Sequence, residues 1–267
     1  MTGSTSNKGR VLVTGASAGI GKAIALLLKN EGYEVIGTSR DPEKINNKIP
    51  GVRYEALDLQ DPESIRACIA EIGAIDILIN NAGQSQIGPL EEVPMEKIRA
   101  LFEVNCFGIM QLTKGILPGM RERRSGIIIN VSSMSGVFGV AYTPVYCGTK
   151  FALEGMTRAL RQEMYPFGVK VVLLQPGYIS TGLEQDPNYR TDSEYYPFLK
   201  IFKKIRDHHI TTGAAAEEVA RKVLYIIRKR NPKPAYPVGG DAPLIAVLSR
   251  LLPVRLTEYF QRKKFKV

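Results

Sequence analysis

A glycine-rich turn between a short apolar strand and an amphipathic helix limits the fold more than any other feature. Arg10 to Val13 reads as a strand, and Gly19 to Asn30 carries Ile20, Ile24, Leu27 and Leu28 at helical spacing. Thr14-Gly15-Ala16-Ser17-Ala18-Gly19-Ile20-Gly21 joins them. Gly15 permits a tight turn, and Gly21 lets helix and sheet pack closely.

Strand and helix patterns then alternate. Gly32 stops the first helix, and Glu34 to Thr38 and Val52 to Leu57 are strands. Asp61-Pro62-Glu63-Ser64 reads as a cap with proline at the first helical position of a helix ending near Gly73. Ile75 to Asn80 is nearly continuously apolar, as expected of a strand covered on both faces. Met95 to Arg123 is helical, Gly126 to Val131 a strand, and Thr149 to Tyr165 a helix closed by Pro166 and Gly168. Val169 to Gln175, Ala214 to Lys229 and Ala235 to Val238 continue as strand, helix and strand. This order predicts right-handed βαβ units and a parallel α/β sheet. The 267 residues fit one large domain, residues 1–267, with no internal boundary.

Two segments depart from the rhythm. Residues 178–212 are rich in Tyr, Pro, Asp and Lys and are long for a connection, so a substrate lid is expected after the sixth strand. Residues 241–267 form an extension past the last strand. Its stripe of Leu244, Leu248, Leu251 and Leu252 is broken by Pro253 and followed by Arg262, Lys263, Lys264 and Lys266. Two readings stay open: a helix packed on the sheet or substrate mouth, or a peripheral membrane contact with an apolar face and a basic end.

The net charge is +10, with basic clusters at 121–124, 200–206 and 262–266. Such a charge suits an anionic surface or a phosphorylated ligand. No nucleic-acid module is recognisable, so nucleic acid is not an expected partner. Cys68, Cys106 and Cys147 are odd in number and lack paired or metal-ligand spacing. They fit a reducing, cytoplasmic setting, and no metal is expected. Residues 1–8 are small and polar, unlike a signal peptide, and no apolar run approaches the roughly 20 residues of a spanning helix. His208-His209, adjacent in a basic segment, reads as a surface pair.

The turn at 14–21 has a second meaning. Gly19 lets the backbone approach a pyrophosphate, and the helix start at Ser17, Ala18 and Ile20 offers free N–H groups and positive dipole. The spacing is not that of a P-loop. A dinucleotide is therefore expected. Ser39 stands where an NAD site would place a carboxylate, and Arg40 suits a 2′-phosphate. This favours NADP(H); Asp41 keeps NAD(H) as the alternative.

Tyr146 and Lys150 lie four apart and share a helix face. A phenol, with a pKa of about 10, is a poor base near neutrality. An adjacent cation pulls that value down and makes the phenol an effective proton donor and acceptor. Ser133 follows a strand at the carboxyl edge of the sheet, where ligands bind in such folds.

Residues 14–21, Asn80-Asn81-Ala82-Gly83, Asn105, Ser133, Tyr146-Cys147-Gly148-Thr149-Lys150 and Pro176-Gly177 to Thr181 together resemble the short-chain dehydrogenase/reductase family, in the family's order across most of the chain. The resemblance implies a single-domain, Rossmann-type doubly wound parallel sheet flanked by helices, and a nicotinamide cofactor. It implies hydride exchange between an alcohol and a carbonyl, with Tyr146 as general acid/base. Its spacing favours Ser133 over Ser132 as the group holding the substrate oxygen. It gives Lys150 a second role on the nicotinamide ribose and Asn105 a proton-relay water. Asp58 falls near the adenine, Asn81, Ala82 and Gly83 by the adenosine ribose, and Pro176, Gly177, Ile179 and Thr181 around the nicotinamide. The branch most resembled contains hydroxysteroid and retinol dehydrogenases. Pairing on helices around Glu103–Met120 and Thr149–Met164 would give a homodimer or homotetramer.

A bulky apolar, lipid-like carbonyl or alcohol is the expected substrate. Tyr178, Leu183, Tyr189, Tyr195, Tyr196, Phe198, Leu199, Ile201 and Phe202 supply apolar surface, and Val137, Phe138 and Val140 another wall. The alternatives are a non-catalytic NADP-binding sensor or scaffold protein on the same fold, which would be expected to lack the Tyr or the Lys, and a structural membrane-associated protein.

Overall fold

The computed structural model describes residues 8–181, 186–187 and 190–265. Leu183, Tyr189 and Lys266, together with residues 1–7, lie outside the described residues. Seven parallel strands form one sheet: β1 (Arg10–Val13), β2 (Glu34–Ser39), β3 (Arg53–Ala56), β4 (Ile77–Asn80), β5 (Gly126–Val131), β6 (Val169–Pro176) and β7 (Ala235–Val238). Their order across the sheet is β3-β2-β1-β4-β5-β6-β7, the doubly wound α/β arrangement expected from the alternation. The order of strand addition reverses beside β1, which pairs in parallel with β2 on one side and β4 on the other. The crevice at such a reversal, outside the carboxyl ends of the strands, is where this architecture takes ligands.

Alternate strand residues feed two cores. Val11, Val13, Ile77, Ile79, Ile127 and Ile129 pack with α1 (Gly19–Asn30) on one face. Leu12, Leu78, Ile128 and Val171 pack on the other against α2 (Pro62–Ile72) and further helices. The expected helix from Met95 to Arg123 is two helices, α3 (Met95–Phe102) and α4 (Gly108–Glu122), joined through a π-helical turn at Glu103–Phe107. Gly108 explains the close approach at that joint: a Cβ there would lie 2.2 Å from the Leu59 carbonyl oxygen. The next helix, α5, starts at Pro144 and runs to Met164, five residues earlier than its apolar pattern indicates. Proline at the first position pre-sets the helical φ.

Residues 178–212 are not a plain loop. Among the described residues of this segment, Tyr196–Thr211 form α6, and Ile179–Ser180 pairs in parallel with Ala214–Ala215 just past the segment. The helix α7 (Ala216–Ile227) then packs beside α1. Past β7 come α8 (Ala242–Leu251) and α9 (Val254–Phe265). Phe265 folds back: its ring centroid is 4.9 Å from that of Phe202 on α6, and both rings are buried. Leu244, Leu251, Val254 and Phe260 stay exposed on the same two helices, as do Phe107 and Phe151 on the elements the resemblance associates with pairing. Among the described residues, no helix is long and apolar enough to cross a membrane.

Two asparagines interrupt the apolar strands. Asn80 donates to Asn130 Oδ1 at 2.8 Å and to Thr113 Oγ1 at 3.1 Å, and Asn130 donates to Thr157 Oγ1 at 2.9 Å. This buried network ties β4 and β5 to α4 and α5, and so fixes the helix that carries Tyr146. Replacing Asn130 by Ala takes the acceptor from a buried Asn80 N–H on one side and the donor from the buried Thr157 hydroxyl oxygen on the other. It is expected to lower the unfolding free energy by about 2–4 kcal/mol in urea, with the slope unchanged; a loss below about 0.5 kcal/mol would show the network to be dispensable.

Candidate active site

The turn after β1 is built around its own backbone. Gly15 (φ +67°) and Gly19 (φ +53°) hold left-handed conformations that a side chain disfavours. Ala16 N donates to Thr38 O at 2.9 Å, and Asn81 Nδ2 donates to Thr14 O at 2.9 Å and Gly15 O at 3.3 Å. The Thr14 hydroxyl accepts from the backbone N–H of both Asn81 and Ala82 at 2.9 Å. Gly21 faces inward: a Cβ would come within 2.1 Å of Gly15 O. It therefore shapes the turn without lining the cleft. Ala18 is the α1 N-cap and makes no side-chain capping bond, so a first turn of N–H groups opens on the cleft.

Ser39 and Arg40 line the cleft at the end of β2, and Asp58 lines it beyond β3. The Asp41 carboxylate is turned to local work. It accepts from Glu43 N at 3.2 Å, pairs with Lys44 at 2.8 Å, and is held below the usual carboxylate range chiefly by the Lys44 hydrogen bond.

Tyr146 stands in the first turn of α5. Its hydroxyl is hydrogen-bonded by Ser133, which also caps the short turn Met134–Gly136 by accepting from Ser135 N at 3.1 Å. Lys150, only 5 % exposed, donates from Nζ to the Val131 carbonyl at 3.0 Å and lies 5.7 Å from the Tyr146 ring centroid. Burial pushes Lys150 down to about 8, opposed by Cys106 and Glu154. The expected direction for Tyr146 is reversed: burial raises its pKa, and what opposes burial is the Ser133 hydrogen bond and the charge of Arg206. The spacing of Tyr146 and Lys150 puts them on one face, but the ammonium is held by a backbone carbonyl. Ser132 Oγ is buried and makes no hydrogen bond among the described residues.

Asn105 lies in the π-helical turn, fully buried behind the cleft. Its Oδ1 accepts from Gln84 N at 2.9 Å, and its amide donates to Gln84 O at 2.9 Å and Thr149 Oγ1 at 3.1 Å. It thus clasps the backbone beyond β4 to α5. A Cβ on Gly83 would lie 3.1 Å from Asn105 Oδ1 and 3.6 Å from Lys150 Nζ, so a glycine there keeps this floor open. On the far side, Gly177 N donates to Val238 O at 2.9 Å, and a Cβ on Gly19 would touch the Thr181 side chain at 3.4 Å.

One cleft of about 640 Å³ gathers these groups. Gly15, Ser17, Ala18, Gly19, Ile20, Asn81, Ala82 and Gly83 line it, with Ser133, Tyr146, Lys150, Pro176, Gly177, Ile179 and Thr181. Gly21 and Asn105 act from behind. Of the expected apolar walls, Tyr178, Phe138 and Val140 face the cleft; Leu199 and Phe202 are core, while Phe198 and Ile201 point outward. Arg206, Asp241, Gln261, Lys264 and Phe265 also line it, and sequence reasoning assigned them no site role. The tail's apolar stripe was the available signal, but it does not say which polar residues turn inward.

The cleft can hold a dinucleotide along its cradle, with Tyr146 and Ser133 at the opposite end. A family model described as short chain dehydrogenase matches residues 9–191. The 3-ketodihydrosphingosine reductase of Bacteroides thetaiotaomicron is 36 % identical over 94 % of this chain and 96 % of its own. Human retinol dehydrogenase 8 is 36 % identical over 83 % of this chain and 78 % of its own. The crystal structure of a short-chain dehydrogenase from Streptomyces avermitilis superposes with a TM-score of 0.81 at 31 % identity, covering 97 % of both chains. With the doubly wound sheet, the glycine turn and the Ser133–Tyr146–Lys150 cluster already in place, this chain belongs to the short-chain dehydrogenase/reductase family of oxidoreductases.

Proposed function

We propose that the protein interconverts a lipid-like carbonyl compound and its alcohol with NADP(H), Tyr146 moving the proton. The observation that carries this is the meeting of Ser133, Tyr146 and Lys150 with the Gly15–Gly19 cradle in one cleft. The cradle, Asn81 to Gly83 and Pro176 to Thr181 would hold the cofactor, which supplies or accepts hydride when bound. Tyr146 gives its proton to the carbonyl oxygen as negative charge develops there, and Ser133 donates a hydrogen bond to the same oxygen. Lys150 keeps a positive charge beside the phenol. Asn105 holds the floor on which both stand. Arg40 supports NADP(H), because it lines the cleft while Asp41 is engaged with Lys44 and the following turn. The ketone and alcohol in the names of two relatives support an apolar substrate, as do Phe138, Val140 and Ile245 in the cleft wall. A non-catalytic binding role is less well supported, because Tyr146 and Lys150 are both present and placed together.

Replacing Tyr146 by Phe is expected to reduce turnover at least 1,000-fold while NADPH binding stays within threefold; substantial residual turnover would overturn the proton-donor role. In the wild type, kcat/KM for carbonyl reduction should be level up to about pH 8. It should fall above that, as Lys150 loses the proton it holds below about 8. Lys150→Arg, whatever its absolute rate, should lack this break, and a break that persists in the variant would assign it to another group. Fluorescence titration should show NADPH binding at least tenfold tighter than NADH, with Arg40→Leu closing most of the gap; tighter NADH binding would reverse the cofactor assignment.

A further inference from the structure

The helices after β7 expose the side chains that a surface helix normally buries. On α8 the small residues Ala242 and Ala246 are buried against Met134, with Ile245 packed beside them. Leu244, Val247, Leu248 and Leu251 share one face at helical spacing and are 40 % to 74 % exposed. An amphipathic helix of a globular protein turns such a stripe toward the core. The chain then passes through Pro253 into α9, where Val254, Leu256, Tyr259 and Phe260 are exposed as well. The same helix carries Arg255, Arg262, Lys263 and Lys264 against one acid, Glu258, which pairs with Arg262 at 3.6 Å. Its inner side is already in use: Gln261, Lys264 and Phe265 line the cleft, and the Phe265 ring packs on Phe202.

We propose that the outer face of α8 and α9 docks on an anionic lipid bilayer. Single apolar side chains on a surface need no explanation, but eight on two consecutive helices do. Whatever covers them must accept leucine, valine and aromatic side chains and also answer basic ones. A bilayer with acidic headgroups does both: the apolar side chains enter the boundary between headgroups and acyl chains, and Lys and Arg meet the phosphates. A second copy of this chain suits the face poorly, because a symmetric contact would bring two sets of basic side chains together. The wider charge agrees. The chain carries +10 overall, and residues 200–206 add a basic cluster on α6, the helix that Phe202 fastens to Phe265. At 10 and 12 residues, neither α8 nor α9 can cross a bilayer, so the contact lies in the plane of the surface. Because the inner side of the same helices lines the cleft, docking holds the cleft next to the bilayer. Docking of this kind does not depend on the reaction carried out there.

The test is flotation of the full-length protein with vesicles of phosphatidylcholine alone, or of phosphatidylcholine with about one-third phosphatidylglycerol. The protein should bind the anionic vesicles at least tenfold more tightly than the neutral ones. Raising salt from about 0.1 M to about 0.5 M should remove most of that preference. Leu244→Gln combined with Leu251→Gln should weaken binding to the anionic vesicles at least tenfold. Arg262→Gln combined with Lys263→Gln should cut the preference for phosphatidylglycerol severalfold while binding to neutral vesicles stays within threefold. All four side chains are exposed, so both variants should melt within about 2 °C of the wild type. Absence of flotation with the anionic vesicles, equal binding to both kinds, or flotation that the leucine variant leaves unchanged overturns the proposal. Absence of flotation together with a dimer that the leucine variant splits, read by light scattering, also overturns it and assigns the face to a contact between copies of the chain.

Discussion

Everything at the site hangs on the gap between β1 and β4, where the order of strand addition reverses within the parallel sheet. Two loops leave the carboxyl ends of these strands side by side, and their backbones must be satisfied without closing the space. The Thr14 hydroxyl and the Asn81 amide do this, each binding the other's loop at 2.9 Å. Because the polar groups at the strand ends bond to one another, the N–H groups of the α1 first turn are left for a ligand. Gly21, pressed on the Gly15 carbonyl, lets α1 start close enough for those N–H groups to face the gap.

The second constraint is the burial of charge beside the phenol. Lys150 and Tyr146 are both desolvated, which favours the neutral form of each. Fixed partners oppose this: Val131 O accepts from the ammonium, and the Ser133 hydrogen bond lowers the pKa of the phenol. On α5, Glu154 accepts from Gln175 at 2.8 Å and from Arg158 at 2.8 Å, so its charge is compensated while it still favours a protonated Lys150. The Asn80–Asn130–Thr157 network adds a rigid polar seam in an otherwise apolar core. Rigidity here bears on the proposed role of Tyr146, because a proton donor works only when its oxygen is held within hydrogen-bonding reach of the acceptor.

The cleft is completed from far along the chain. Phe202 of α6 packs on Tyr142 at 5.5 Å and on Phe265 at 4.9 Å, which fastens α6 to both the loop before α5 and the end of α9. His209 stacks on Tyr178 with ring centroids 5.1 Å apart. These ring contacts bring Arg206, Gln261 and Lys264 into the cleft lining, so one wall is built by the segments that follow β6 while the glycine cradle and Ser133, Tyr146 and Lys150 come earlier in the chain.

The sequence alone determined the order of strands and helices, because apolar period and glycine or proline punctuation are local properties. It also determined the cradle from Gly15 to Gly21 and the pairing of Tyr146 with Lys150, since a turn conformation and a shared helix face depend only on spacing. Element ends were less legible. Pro144 starts α5 ahead of its apolar pattern, and the π-helical turn at Asn105 answers to the approach of Leu59 to Gly108, which no local pattern records. Only the tertiary structure decided that Asn105 and Gly21 support the cleft from behind, and that Leu199 and Phe202 fill core while Arg206 lines the same cleft as Tyr146. Burial and charge at a point in space are sums over residues distant in the chain, and for that reason the charge beside Tyr146 was not to be read from Lys150 alone.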